Sequence, residues 1–151
     1  MLSGLSGKFE MSVDAKGRVT LPSAFRKQLA AEGTKSIKLV PFSGCLNGFT
    51  EEGFKQWVDG LFNVGDKCYN PRDAKDVRLH DGLWQSAITI DLDSAGRVAL
   101  GKLSADKRER LGLSGDVIIT GLDDHFAIWN AERWHEKYDD FDNDLDALMF
   151  G

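Results

Sequence analysis

With 151 residues, 42% of them hydrophobic and including nine Phe and four Trp, the chain has enough apolar surface for one domain or for two small units sharing a core, and too much to stay disordered. Its 24 acidic and 19 basic groups leave a formal charge of −5, which by itself weighs against a nucleic-acid partner, because backbone phosphates demand Lys and Arg. No apolar run approaches the ~18 residues of a membrane span and no signal-peptide pattern opens the chain, so a cytoplasmic protein without a membrane partner is expected.

In chain order, Phe9, Met11 and Val13 alternate with Lys8, Glu10 and Ser12, the period of a half-buried strand. A turn follows in "DAKG", and Val19 and Leu21 then resume the period. Gly17 occupies a place where positive φ is needed, and the Asp14 carboxylate can accept backbone N–H groups that shape the turn. Alternation against Val19 turns Arg18 outward, with Lys16 at the hairpin tip. Pro22 starts a short helix that buries Phe25 and Leu29 and carries Arg26 and Lys27 on its other side.

Strands in "SIKLV" and "LNGF" come next. Thr50 caps a helix whose Phe54, Trp57, Val58 and Leu61 fall at i, i+3, i+4 and i+7. The stretch "YNPRDAKDVRLHDGLW", with Asn70 as cap and Pro71 at the first helical position, predicts a connecting helix. A second hairpin then appears in "AITIDLDSAGRVAL". Here Asp93, Gly96 and Arg97 stand where Asp14, Gly17 and Arg18 stood, with Ala95 in place of Lys16 and Gly101 in place of Pro22. Strands in "DVIIT" and "HFAIW" follow, then a helix capped by Asn130 with Trp134, Tyr138 and Phe141 on one side. The end of the chain is acidic.

The two halves therefore superpose in sequence with a shift of 79 to 80 residues. Two units are too few for a solenoid, so a pseudo-twofold pair closing one shared core is expected. Residues 7–62 form the first unit, 63–85 a connecting helical segment, 86–141 the second unit and 142–151 an acidic, flexible tail. Short strand pairs with small helices make an α+β protein with a small barrel-like sheet. Charge follows the same division. Residues 1–40 hold seven basic and three acidic groups, net +4, while Asp139 and the residues after it contribute five aspartates and no base.

Two readings of Arg18 and Arg97 stay open. Each guanidinium pairs with a local carboxylate on the surface, or each offers its planar donors to phosphate or to a base edge. Arg26 and Lys27 either widen that basic face or solvate a helix. Trp57, Trp84, Trp129 and Trp134 suit a core or subunit contacts better than base stacking. Cys45 and Cys68 form no CxxC pair and are expected as free thiols. His80, His125 and His135 are scattered, and HExxH, GxSxG and phosphate-loop patterns are missing, so no metal, no cofactor and no enzyme activity are expected.

"DAKGRVTLPSAFR", "GCLNGFTEEGFKQW", the second "DSAGRV" and "FAIWNAERW" together resemble the MraZ family across about Gly7 to Tyr138. The resemblance implies a tandem pair of AbrB-like units, a small pseudo-twofold double-split β-barrel of swapped-hairpin type with short flanking helices. It also implies a cytoplasmic, nucleoid-associated transcriptional regulator of the division and cell-wall gene cluster. Such proteins form rings of several protomers, commonly eight, on double-stranded DNA with short direct repeats upstream of their own operon. The matching motif places the DNA-contacting arginine at Arg18 and its repeat at Arg97, with Lys16 as a phosphate contact. An antitoxin-like interaction module and a small enzyme are the competing classes.

Overall fold

A computed structural model describes all of residues 1–151. The strands are β1 (Lys8–Ser12), β2 (Arg18–Thr20), β3 (Ser36–Phe42), β4 (Cys45–Phe49), β5 (Ile88–Asp91), β6 (Arg97–Ala99), β7 (Asp116–Gly121) and β8 (Phe126–Asn130). The helices are α1 (Ser23–Ala31), α2 (Glu51–Phe62), α3 (Ala74–Ser86), α4 (Ala105–Leu111), α5 (Ala131–Tyr138) and α6 (Phe141–Phe150), with a 3-10 turn over Leu100–Lys102. Thr50 and Asn130 cap α2 and α5 by accepting from the N–H groups of Gly53 and Arg133. Asp73 caps α3, so the connecting helix begins beyond Pro71, and Asn70 instead shapes the turn before it by accepting from the Arg72 N–H. Phe141 opens α6 rather than completing the face of α5.

Six strands pair antiparallel in the order β1-β7-β8-β4-β3-β5. That order is symmetric about the β8/β4 pair. The first strand of each half crosses to the third strand of the other: β1 pairs with β7 (Phe9 opposite Ile119), and β5 pairs with β3 (Ile90 opposite Ile37). Neither half completes a sheet alone, because each supplies the edge strand of its partner.

Strand alternation sorts the side chains onto two faces. Ile37, Leu39, Leu46, Ile90, Val117, Ile119, Phe126 and Ile128 point to one face and meet Val19, Leu21, Phe25, Leu29, Val98 and Leu100 in the main core. On the other face, Val40 and Phe49 are covered by Phe54, Val58 and Phe62 of α2, while Ile118, Ala127 and Trp129 are covered by Trp134 of α5.

The closed double-split barrel expected from the sequence does not form. β2 and β6 pair only with each other, as a separate two-stranded ribbon, and the six-stranded sheet stays open with β1 and β5 at its edges. The physical reason lies in the two hairpin turns. At each, a glycine with φ of +76° (Gly17) or +72° (Gly96) turns the chain, and the strand that follows pairs with its counterpart from the other half rather than with β1 or β5. The three-residue strand that follows then lies across the core instead of extending the edge. Edge strand β1 directs Lys8, Glu10 and Ser12 to solvent, polar groups that discourage pairing with another chain.

The candidate nucleic-acid interface

Each hairpin turn is held by its aspartate. The Asp14 Oδ1 accepts from the backbone N–H groups of Lys16 and Arg18, both at 2.9 Å, and its Oδ2 accepts from Arg18 Nε at 3.0 Å. Asp93 repeats the arrangement with Ala95 N (3.0 Å), Arg97 N (2.9 Å) and Arg97 Nε (2.6 Å). A backbone bond from each glycine N–H to its aspartate carbonyl, 3.0 Å in both copies, closes the turn. A β-carbon at either glycine would be strained at this φ.

β2 and β6 run antiparallel, with Arg18 opposite Ala99, Val19 opposite Val98 and Thr20 opposite Arg97. The two valines are wholly buried, so Arg18 and Arg97 share the opposite, outward face of the ribbon. The ladder continues at both ends, through Leu100 N–H to Gly17 O (2.8 Å) and Leu21 N–H to Gly96 O (3.1 Å). The two turns therefore mark opposite ends of one rigid ribbon.

Of the two readings left open for the arginines, the geometry meets the first without closing the second. Both guanidiniums pair with a carboxylate, yet those hydrogen bonds run through Nε, and the side chains remain 28% (Arg18) and 33% (Arg97) exposed. The pairing orients the guanidinium plane and leaves its terminal amino groups for a ligand. An arginine held in one geometry loses less side-chain entropy when it binds phosphate or a guanine edge.

A third and a fourth arginine complete the band. The stem of Arg26, from α1, lies across Gly96, where a β-carbon would overlap it, and its Nε donates to Leu21 O at 3.0 Å. Arg108, from α4, covers Gly17: its Nη1 lies 3.0 Å from where a β-carbon would stand, and its Nε donates to Leu113 O at 3.2 Å. Each half's helix thus guards the other half's turn. Lys16 and Lys27 are exposed, Lys16 at the tip of the first turn and Lys27 on α1.

Sequence reasoning missed Arg108. The hairpins superpose with a shift of 79, but the 3-10 turn adds three residues before α4, whereas Pro22 leads straight from β2 into α1. Aligning the helix N-caps Pro22 and Ser104 gives a shift of 82, which lays Arg26 on Arg108 and Leu29 on Leu111. The absence of proline at Gly101 was the visible trace of that insertion.

Both turn carboxylates titrate below the ordinary aspartate range. The largest cause for Asp14 is the backbone N–H of Arg18, aided by the Arg18 side chain and the Lys16 N–H and opposed in part by burial. Asp93 is held down in the same way by Arg97 and Ala95. A depressed folded-state value means that each carboxylate stabilises its turn fully above the unfolded pKa of ~3.9 and loses that contribution as the pH falls through the lower folded value. Carboxyl NMR titration is expected to place both midpoints below ~3.9, and amide exchange at Lys16, Arg18, Ala95 and Arg97, corrected for intrinsic rates, to accelerate only beneath that range.

Elsewhere the chemistry is sparse. Both cysteines are free thiols, and burial pushes the Cys45 thiol up to about 11. No group of three or more His, Cys, Asp or Glu side chains is placed to hold a metal ion, and no helix is long and apolar enough to cross a membrane.

The family model described as "MraZ protein, putative antitoxin-like" matches residues 5–64 and 83–147, both hairpins included. The chain belongs to the MraZ family. It is 32% identical over 131 residues to the protein named transcriptional regulator MraZ of Lactiplantibacillus plantarum, covering 86% of this chain and 84% of that one. Proteins of the same name from Thermoanaerobacter sp. and Lachnoclostridium phytofermentans are 30% identical over 145 residues and 28% over 143. Those matches cover 95% and 94% of this chain and 93% of each relative. The family-model match thus includes both turns and extends past the second hairpin through α5.

Proposed function

We propose that this MraZ-family chain is a sequence-specific, double-stranded-DNA-binding transcriptional regulator. It acts on short direct repeats upstream of its own operon, in the division and cell-wall gene cluster, and works in the cytoplasm in association with the nucleoid. The observation that carries the reading is the outward ribbon. Two aspartate-held turns stand at its ends, and Arg18 and Arg97 present free terminal amino groups on one face. Arg18, Arg97 and Lys16 are the contacts, while Arg26, Lys27 and Arg108 enlarge the positive field around them.

One ribbon makes too few charge-assisted contacts for tight binding. Protomers assembled in a closed ring, of eight in the family's common form, hold successive ribbons at a set distance, so that binding the first repeat raises the effective concentration of the next ribbon at its own repeat. Phosphate contacts then position the assembly and guanidinium contacts to base edges select the site. The acidic remainder, net −5 for the chain, repels DNA away from the ribbons and confines contact to them.

Footprinting on the DNA upstream of the chain's own gene tests this. Protection is expected at regularly spaced repeats, with log K falling linearly against log salt. Equal binding to an unrelated duplex of the same length, or no protection at ~0.15 M salt, overturns the proposal.

A further inference from the structure

The outer face of the six-stranded sheet carries a feature that the DNA-binding reading does not use. A cavity of about 480 Å³ opens between α5 and the β3–β4 hairpin, walled by Phe42, Trp129, Trp134 and Tyr138. Two ammonium groups stand at it: Lys8 Nζ lies 4.8 Å from the centroid of the Trp134 ring, and Lys137 Nζ lies 5.2 Å from that of Trp129. Neither lysine is paired with a carboxylate. Within the same wall, Thr120 is only 8% exposed and its Oγ1 is buried with no hydrogen-bond partner. A buried hydroxyl with no partner is costly.

A second feature has the opposite character. Every residue of α6 is exposed. Its Phe141, Leu145, Leu148 and Met149 follow the i, i+4, i+7, i+8 spacing and make one apolar stripe, with Leu148 70% and Met149 64% exposed. On the helical wheel Asp142 and Asp144 flank that stripe, one on each side. An apolar face of this kind marks a contact surface rather than a solvent-facing helix.

We propose that the cavity is the docking site for α6 of a second copy of this chain. The apolar stripe enters the aromatic walls, and the two flanking aspartates meet Lys8 and Lys137. Complementary charge favours this occupant: the cavity offers two cations and no paired anion, while α6 carries three aspartates and no base. Because cavity and helix are different surfaces of one protomer, the contact is head-to-tail, the kind that closes into a ring when the rotation permits. The inference rests on the ring proposed above and names the contact that builds it.

The test is sedimentation equilibrium of the full chain over a range of concentrations, with circular dichroism as a folding control. Leu148→Glu is expected to raise the dissociation midpoint at least about tenfold, as is Lys8→Glu combined with Lys137→Glu. Adding Asp142→Lys and Asp144→Lys to the lysine variant is expected to restore assembly, which a merely structural role for those lysines would not do. Should one variant fail to fold, the other arm decides. If the unaltered chain assembles and the variants keep its mass, the docking inference falls while the ring stands. It also falls if the variants change tryptophan emission without changing mass, meaning that α6 covers its own cavity, or if native mass spectrometry finds a small molecule in the cavity. A monomeric unaltered chain overturns both readings.

Discussion

Replacing Arg18 with alanine is expected to weaken binding to the repeated operator at least about 100-fold at ~0.15 M salt while leaving the mass of the assembly unchanged. Three contributions add. A bidentate guanidinium contact is worth about 1–3 kcal/mol against the wrong base or an empty site. The substitution removes that contact from every ribbon engaged at once, so the loss is multiplied along the repeats. It also leaves the Asp14 carboxylate without its side-chain partner, facing the phosphates. The turn itself persists, because the two backbone bonds to Asp14 Oδ1 do not involve the guanidinium. Arg18→Lys keeps the charge but not the planar fork, so it should recover the salt-dependent part of the affinity and little of the preference for the repeat. Arg97→Ala is expected to cost less, since Ala95 offers no ammonium group where Lys16 does. Fluorescence anisotropy on matched repeat and scrambled duplexes at several salt concentrations separates these effects. An unchanged affinity for Arg18→Ala would remove the ribbon from the interface.

Replacing Phe126 with alanine is expected to destabilise the folded chain by about 3–5 kcal/mol, the usual cost of deleting a buried aromatic ring. The ring is fully buried beside Phe25, at 6.1 Å between centroids. It also lies directly over Gly48, its cross-strand neighbour on β4, where a β-carbon would collide with it. Glycine thus provides the space that the ring fills at the centre of the sheet, where the two halves meet. Removing the ring leaves a void bounded on one side by the Gly48 backbone, which cannot move in to fill it as a flexible side chain can. A fall in Tm of roughly 10 °C or more is expected at fixed protein concentration. Lys27→Ala, an exposed helix position, should stay within about 0.5 kcal/mol. A Phe126→Ala chain that melts with the parent would show that the β4–β8 seam does not carry the core.

Features written in local order were legible before any coordinates. The alternation of Phe9, Met11 and Val13, the caps Thr50 and Asn130, and the apolar spacing of Phe54, Trp57 and Val58 each depend on a few neighbouring residues, and each occupies its expected place. Leu61, expected on the same face of α2, is instead exposed, and Phe62 takes the buried position. The two Asp-x-x-Gly-Arg turns belong here as well. A carboxylate that reaches backbone N–H groups two and four residues ahead, and a glycine free to take positive φ, are properties of five consecutive residues.

What the sequence by itself determined was therefore the turns, the caps of α2 and α5, the repeat and the family. Only the tertiary structure decided how the two halves pair, because that pairing depends on contacts between residues from about fifty to more than a hundred positions apart that no local period encodes. The exchange of β1 and β5 between halves, the failure of β2 and β6 to close a barrel, and the crossing of Arg26 and Arg108 onto each other's turns are all of that kind. So is the cavity beneath α5, whose lysines are 129 positions apart and share a site only because β1 lies beside β7.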